Sequence, residues 1–211
     1  MKHELAKLIE SALRPLAAPP TPPWNGEELV DLLPAEQRLR DAAVLVGLIP
    51  RDAGWHVLLT RRTEHLPHHA GQISFPGGRL EPHDRDATAG AIRETEEELG
   101  IEATLVSPIG NLDVYATISA FAVTPVVAVI DPGLVLRPDP REVAEAFEVP
   151  LRFFLDPASL KRESRHWRGK ERHFYVFPYG ERYIWGATAA IMVNFIERLR
   201  QHGLEPADLG C

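Results

Sequence analysis

The residues with the clearest chemical capacity lie between Glu81 and Gly100. That stretch carries seven acids (Glu81, Asp84, Asp86, Glu94, Glu96, Glu97 and Glu98) against two bases, Arg85 and Arg93. It holds −5 of the formal net charge of −7, and the rest of the chain is close to balance. If residues 86–99 form a helix of about 3.6 residues per turn, with Glu94 at 0°, Glu98 falls near 40° and Glu97 near 300°. Three carboxylates then share one narrow face. Ala91, Ile92, Thr95 and Leu99 cover the adjoining arc that faces a core, and Glu96 points elsewhere. Like charges at this spacing repel by roughly a few tenths of a kcal/mol, and acids near a helix C-terminus oppose its dipole. Divalent cations over the face remove both penalties. Hard cations such as Mg²⁺ and Mn²⁺ take carboxylate oxygens, and Mg²⁺ commonly recruits substrate phosphates as further ligands. A bare acidic run would read as a solvated face. Here Gly77-Gly78 makes a turn before it, Arg93 sits one turn ahead of Glu97 to pair with it, and Gly100 stops the helix. Those surroundings favour the metal reading.

The segment from Gly78 to Ile101 resembles the Nudix box, G-x5-E-x7-R-E-U-x-E-E-x-G-U with U apolar. Arg93-Glu94-Thr95-Glu96-Glu97-Glu98-Leu99-Gly100-Ile101 matches its second half. Thr95 stands at an apolar position. Asp84 takes the first Glu position, and eight residues rather than seven separate it from Arg93. The resemblance implies an α/β (α+β) fold, a Nudix-type α/β/α sandwich around a mixed central β-sheet. It also implies Mg²⁺- or Mn²⁺-dependent hydrolysis of a nucleoside diphosphate linked to another group. Glu94, Glu97 and Glu98 would be the metal ligands, with the Gly77 carbonyl as an extra ligand. Arg93 would orient Glu97 or Glu94. Glu142 is the candidate general base, with Glu98 as the alternative. The competing reading of Glu142 is a carboxylate that favours a helix N-terminus.

A second signature precedes the box. Leu58-Leu59-Thr60-Arg61-Arg62-Thr63, followed by Gly71 and by Phe75-Pro76-Gly77-Gly78, resembles the coenzyme A pyrophosphatase subgroup, L-L-T-x-R-[SA]-x3-R-x3-G-x3-F-P-G-G. Thr63 replaces Ser or Ala, and Pro67 stands where the second Arg is expected. The likeness continues through Val123-Thr124-Pro125, Arg141-Glu142-Val143 and Tyr183-Ile184-Trp185-Gly186, so it covers roughly residues 40–200. It implies hydrolysis of coenzyme A, or of its acyl derivatives, to 3′,5′-ADP and (acyl-)4′-phosphopantetheine. Arg61, Arg62, His65, His68 and His69 cluster just before the acidic helix, and bidentate Arg suits phosphate. Arg61, Arg62, His68, Gly71 and Phe75 are the substrate-binding candidates. A zinc site from His65, His68 and His69 is weaker, because the loop lacks further soft ligands. Another nucleoside diphosphate derivative, such as ADP-ribose or NADH, is the first alternative substrate, kept open by Pro67. A Nudix-fold ligand sensor is the second alternative, opposed by the intact Glu94, Glu97 and Glu98.

The elements that position these residues follow from patterning. Leu5, Leu8, Ile9, Leu13 and Leu16 recur at helical spacing over Glu4–Leu16, and five prolines between Pro15 and Pro23 make a stiff connector. Residues 1–24 therefore read as an appendage, a helix packed on the body or on a partner subunit, and 25–211 as the hydrolase domain. Ala42–Ile49 and Trp55–Thr60 predict a hairpin, Leu105–Val114 and Ala120–Ile130 further strands, and Arg141–Phe147 a short helix or turn. Tyr183–Trp185 continues a strand, and Ala187–Arg200 predicts a final amphipathic helix.

At 211 residues, 45% hydrophobic and 25% charged, the chain falls in the ordinary globular range. No run of about 18 apolar residues predicts a membrane span, and the charged N-terminus lacks an apolar signal core. The single cysteine, Cys211, excludes an internal disulfide and a cysteine-based zinc site, and it suits the cytoplasm. The acidic balance argues against nucleic acid as a partner. The expected partner is a small coenzyme A-like nucleotide, with a homodimer reasonable by family analogy.

Overall fold

The computed structural model describes residues 2–29, 32–34, 36–65, 69–204 and 209. The chain opens with α1 (Lys2–Ser11) and continues through β1 (Arg40–Arg51), β2 (Gly54–Arg62), β3 (Ile73–Ser74) and β4 (Gly77–Arg79). The acidic helix α2 (Ala87–Leu99) follows, then β5 (Val106–Asn111), β6 (Tyr115–Ala116), β7 (Phe121–Ile130) and β8 (Val143–Pro150). The remainder is α3 (Leu151–Leu155), β9 (Lys161–Trp167), β10 (Lys170–Tyr179), β11 (Arg182–Trp185) and α4 (Gly186–Gln201).

Strands β1–β8 form one mixed sheet. Its main path runs β3-β2-β1-β7-β5, with β4 on β1, β6 on β7 and β8 on β2. The β1–β7 pair is parallel, from Arg40↔Phe121 to Leu48↔Val129, and the other pairs are antiparallel. Successive strand residues point to opposite faces, and both faces are covered. Ala43, Leu45 and Ile49 of β1 join Leu58, Ala91, Leu99, Val126 and Ile130 in the core beneath α2. Val46 and Leu48 join Val57, Leu59, Val127 and the buried residues of α1, α3 and α4 on the other side. The architecture is the expected α/β sandwich around a mixed sheet, and it sets α2 against the β1–β4 junction.

Three elements differ from their sequence patterns. Of Arg141–Phe147 only Arg141 and Glu142 form a turn. β8 begins at Val143 and pairs with β2, from His56↔Pro150 to Arg62↔Val143. Its alternation of Val143, Phe147 and Val149 is interrupted by Glu145, whose charge is met by Arg61 and Arg182. The first helix stops at Ser11, short of Leu16, and Arg14 then bridges to Asn111 through paired backbone hydrogen bonds of 2.9 and 2.8 Å. A second, three-stranded antiparallel sheet, β11-β10-β9, flanks the main one.

Candidate active site

Short-range sequence features set the site's frame. Asp86 caps α2, its carboxylate accepting from the Ala89 N–H at 2.8 Å. Gly100 ends the helix in the left-handed conformation, φ 65° and ψ 23°, and its N–H donates to the Glu96 carbonyl. Asp84, at the first acidic position of the box, reaches Arg93. Arg93 Nε and Nη2 donate to its two oxygens at 3.1 and 3.0 Å, and the Glu81 N–H donates to Oδ2 at 2.8 Å. The arginine beside it holds Asp84 below the ordinary carboxylate range. The longer loop thus still delivers its acid to the box arginine. Arg93 Nη1 turns the other way, donating to Glu94 Oε1 at 3.0 Å and Glu97 Oε2 at 3.1 Å. Thr95 is fully buried in the apolar stripe, and its hydroxyl donates to the Ala91 carbonyl one turn back at 2.7 Å. That internal bond is why a hydroxyl can stand at an apolar position.

The Gly-Gly pair makes room for the carboxylates. Gly77, at φ 147°, packs so closely on β1 that a Cβ would lie 2.3 Å from the Ala43 carbonyl oxygen. A Cβ at Gly78 would lie 2.5 Å from Glu94 Oε1. The Gly77 backbone N–H favours the charged form of the Glu98 carboxylate. Glu98 is 5% exposed, Glu94 is largely buried, and the Glu97 side chain is 60% exposed. Burial pushes the Glu98 carboxyl up to about 8; Arg62 opposes the shift, and Glu94 and Glu142 add to it. Burial raises Glu94 as well, with Arg93 opposing and Glu97 and Glu142 adding.

Among the described residues, no three His, Cys, Asp or Glu side chains already converge on one point. Arg93 draws Glu94 and Glu97 to itself, so these two carboxylates must turn to take a shared ligand. The donor set nevertheless fits a hard divalent cation. Glu98 Oε2 is buried without a hydrogen-bond partner, and the neighbouring acids repel one another. A cation satisfies the orphaned oxygen and removes the repulsion.

The remaining candidates separate. Glu142 precedes β8 rather than a helix and belongs electrostatically to the cluster, since it raises both Glu94 and Glu98. Arg62 faces the same cluster, and its Nε is buried without a partner among the described residues. Arg62, Phe75, Gly77 and Gly78 line one cavity of about 770 Å³. Arg61 points the other way along β2. With Gly71, Glu64, Glu145 and Arg182 it lines a separate cavity of about 650 Å³, and its Nε lies 3.4 Å from Glu145. A Cβ on Gly71, at φ 67°, would fall 2.5 Å from Glu64 Oε1. His69 lines the larger cavity and is 2.9 Å from Gln72 Oε1. His68 and Pro67 lie outside the described residues.

The NUDIX domain family model matches residues 39–178. The chain belongs to the Nudix family. A Nudix hydrolase of Photorhabdus laumondii, NudL, named as uncharacterized, is 38% identical over 175 residues, which is 81% of this chain and 93% of that protein. NudL of Yersinia pestis is 36% identical over 160 residues, 76% of this chain and 80% of its own length. The MutT protein of Methanosarcina mazei shares the fold at a TM-score of 0.52 and 19% identity, covering 81% of this chain and 99% of that one. The protein is thus a Nudix hydrolase, and Nudix hydrolases work with divalent cations. Among the described residues, no helix is long and apolar enough to cross a membrane.

Several residues around the larger Nudix cavity carry no motif in the sequence. Arg162 and Arg172 come from the β9–β10 hairpin, and Trp24 and Asn25 from the N-terminal segment. The hairpin's one sequence signal is its turn, Arg168-Gly169, where both residues have positive φ (49° and 77°). Its strands are too highly charged to show apolar alternation.

Proposed function

We propose that this Nudix hydrolase acts in the cytoplasm on coenzyme A or its acyl derivatives, releasing 3′,5′-ADP and (acyl-)4′-phosphopantetheine. The observation that carries the reading is the continuity of one cavity. Its lining combines Gly77-Gly78, which lie beside Glu94, with the cations Arg62, Arg79, Arg162 and Arg172 and with apolar residues such as Trp24, Tyr115 and Phe121. Coenzyme A offers that combination: a diphosphate, a second phosphate and a long uncharged arm.

Mg²⁺ or Mn²⁺ on Glu94, Glu97 and Glu98 would supply the Lewis acidity that activates water and offsets developing charge on phosphorus. The chain's own groups do the rest. Asp84 fixes Arg93, and Arg93 sets the side chains of Glu94 and Glu97. The partnerless Arg62 Nε is a donor for a diphosphate oxygen. The Gly77 carbonyl would be the extra ligand. Glu142 is exposed at the edge of the cluster, where a carboxylate can take a proton from the attacking water. The reading includes a homodimer, which light scattering checks: twice the chain mass supports it, and the single mass removes it.

The test is a substrate panel with each cation: coenzyme A, 3′-dephospho-coenzyme A, ADP-ribose, NADH and diadenosine polyphosphates. Coenzyme A is expected to give the highest kcat/KM, and its dephospho form a lower one. ADP-ribose turned over as well as coenzyme A would overturn the assignment, and activity that survives chelation would overturn the metal site.

A further inference from the structure

The family match begins at residue 39, yet one wall of the active-site cavity comes from the segment before it. Asn25 anchors that segment. Its side-chain amide acts as a strand partner for Ala116 in β6, donating to the Ala116 carbonyl and accepting from its N–H, both at 2.8 Å. Asn25 is 3% exposed, so both bonds are sheltered from water. The anchor places Trp24 against Tyr115, with ring centroids 5.8 Å apart, and the Trp24 N–H donates to the Val114 carbonyl at 3.0 Å. Leu29 is buried beside them and Leu32 follows. Across the cavity the β9–β10 hairpin closes onto the same segment, where Arg168 Nη1 donates to the Leu32 carbonyl at 3.0 Å.

The surface that these contacts hold in place is apolar. Trp24, Leu29, Leu32, Tyr115, Ile118 and Phe121 line this end of the cavity, and Trp24 and Ile118 remain 37% and 55% exposed. A ribose or other polyol arm laid there would lose hydrogen bonds to water without replacement. An alkyl chain would gain by leaving water.

We infer that the N-terminal segment is a specificity wall, in which Trp24, Leu29 and Leu32, held by the positioning residue Asn25, receive the apolar acyl arm of a substrate whose diphosphate lies at Gly77-Gly78. This rests on the coenzyme A reading above. The wall selects acyl derivatives over the unacylated compound and over substrates with a polar second arm.

The experiment separates the two readings. Calorimetry with chelator present measures binding of acetyl-coenzyme A and octanoyl-coenzyme A to the full chain, and kinetics with Mg²⁺ measures turnover of both. Octanoyl-coenzyme A is expected to bind about tenfold or more tighter, because six added methylenes leave water. Trp24→Ala and Asn25→Ala should each lower the octanoyl-to-acetyl ratio of kcat/KM severalfold, through KM rather than kcat. A merely structural role would lower kcat/KM for both substrates alike and leave the ratio unchanged. Equal binding of the two chain lengths, no binding at all, or an unchanged ratio in Trp24→Ala would overturn the inference. Chain-length-dependent binding without cleavage would leave the wall standing and remove the assignment of coenzyme A as the hydrolysed substrate. Cleavage of coenzyme A without chain-length dependence would do the reverse.

Discussion

The two adjacent glycines should respond in opposite ways to a single methyl group. At Gly78 the three atoms nearest an added Cβ all belong to the end of one side chain, Glu94 Oε1, Cδ and Oε2 at 2.5, 2.6 and 2.8 Å. Glu94 can swing aside at the cost of an off-rotamer angle, about 0.5–1.5 kcal/mol. Gly78→Ala should therefore fold with a melting temperature within roughly 5 °C of the parent. Its Glu94 carboxylate is nevertheless displaced by an ångström or so, and misplacement on that scale can lower turnover about a hundredfold. At Gly77 the Cβ meets backbone, the Ala43 carbonyl oxygen at 2.3 Å and Val44 Cα at 2.6 Å, and φ is 147°. Backbone cannot swing aside. Conformational strain of about 1–3 kcal/mol adds to overpacking of about 1–3 kcal/mol, so Gly77→Ala should lower the melting temperature by roughly 5–15 °C. Thermal denaturation monitored by circular dichroism, paired with steady-state turnover under saturating Mg²⁺, reads both effects. A Gly78→Ala protein with full kcat would refute the claim that these glycines exist to seat Glu94. A Gly77→Ala protein as stable as the parent would refute the close packing on β1.

Other outcomes follow from the same geometry. Asp84→Asn removes a charge from the bidentate pair with Arg93, where the Asp84 side chain is 3% exposed; it should lose about 1.5–3 kcal/mol near neutral pH in urea unfolding. Because Asp84 is depressed in the folded state, its contribution is full above the unfolded-state pKa of about 4 and vanishes as pH falls through the lower folded-state value. The gap between parent and Asp84→Asn should accordingly close in acid, and a gap that widens there would contradict the pairing. Glu142→Gln should lower kcat about a hundredfold or more if the carboxylate takes the proton of water; a loss below tenfold would assign that task to another group. Thr95→Val deletes a hydroxyl bonded only within its own helix, so stability measured in urea should change by less than about 1 kcal/mol.

Much of the site was legible because its signals are local. Helical periodicity alone places Glu94, Glu97 and Glu98 together, and Gly100 marks the helix end where the structure has it; of the two acids able to cap the start, Asp84 and Asp86, the structure uses Asp86. The two covered faces of the sheet agree with the unbroken apolar run Ala42–Ile49 in β1. What was not legible depends on distant partners. Glu145 breaks the alternation of β8, and its ion pairs with Arg61 and Arg182 come from two other strands. Ala144 and Ala146 beside Glu145 and Glu148 then favour a helix by propensity. Arg61 and Arg62 are neighbours in sequence, but strand pleating sends them to different cavities. Residues 1–24 read as an appendage because proline marks a connector. The helix packs on the body, with Leu5, Ile9 and Leu13 buried in the core shared with α4; that Trp24 reaches the active-site cavity had no signal in the sequence. No local pattern announces a wall built from two segments joined by one Arg168–Leu32 hydrogen bond.

The most direct test is an internal competition. Equimolar coenzyme A and ADP-ribose are incubated with the enzyme and Mg²⁺, and the products are separated and quantified over the first tenth of the reaction, which gives the ratio of kcat/KM values without separate kinetics. The account expects 3′,5′-ADP and 4′-phosphopantetheine in equal amounts and in large excess over AMP from ADP-ribose, with all products absent from Glu98→Gln. Predominant cleavage of ADP-ribose, or coenzyme A left intact, would contradict it.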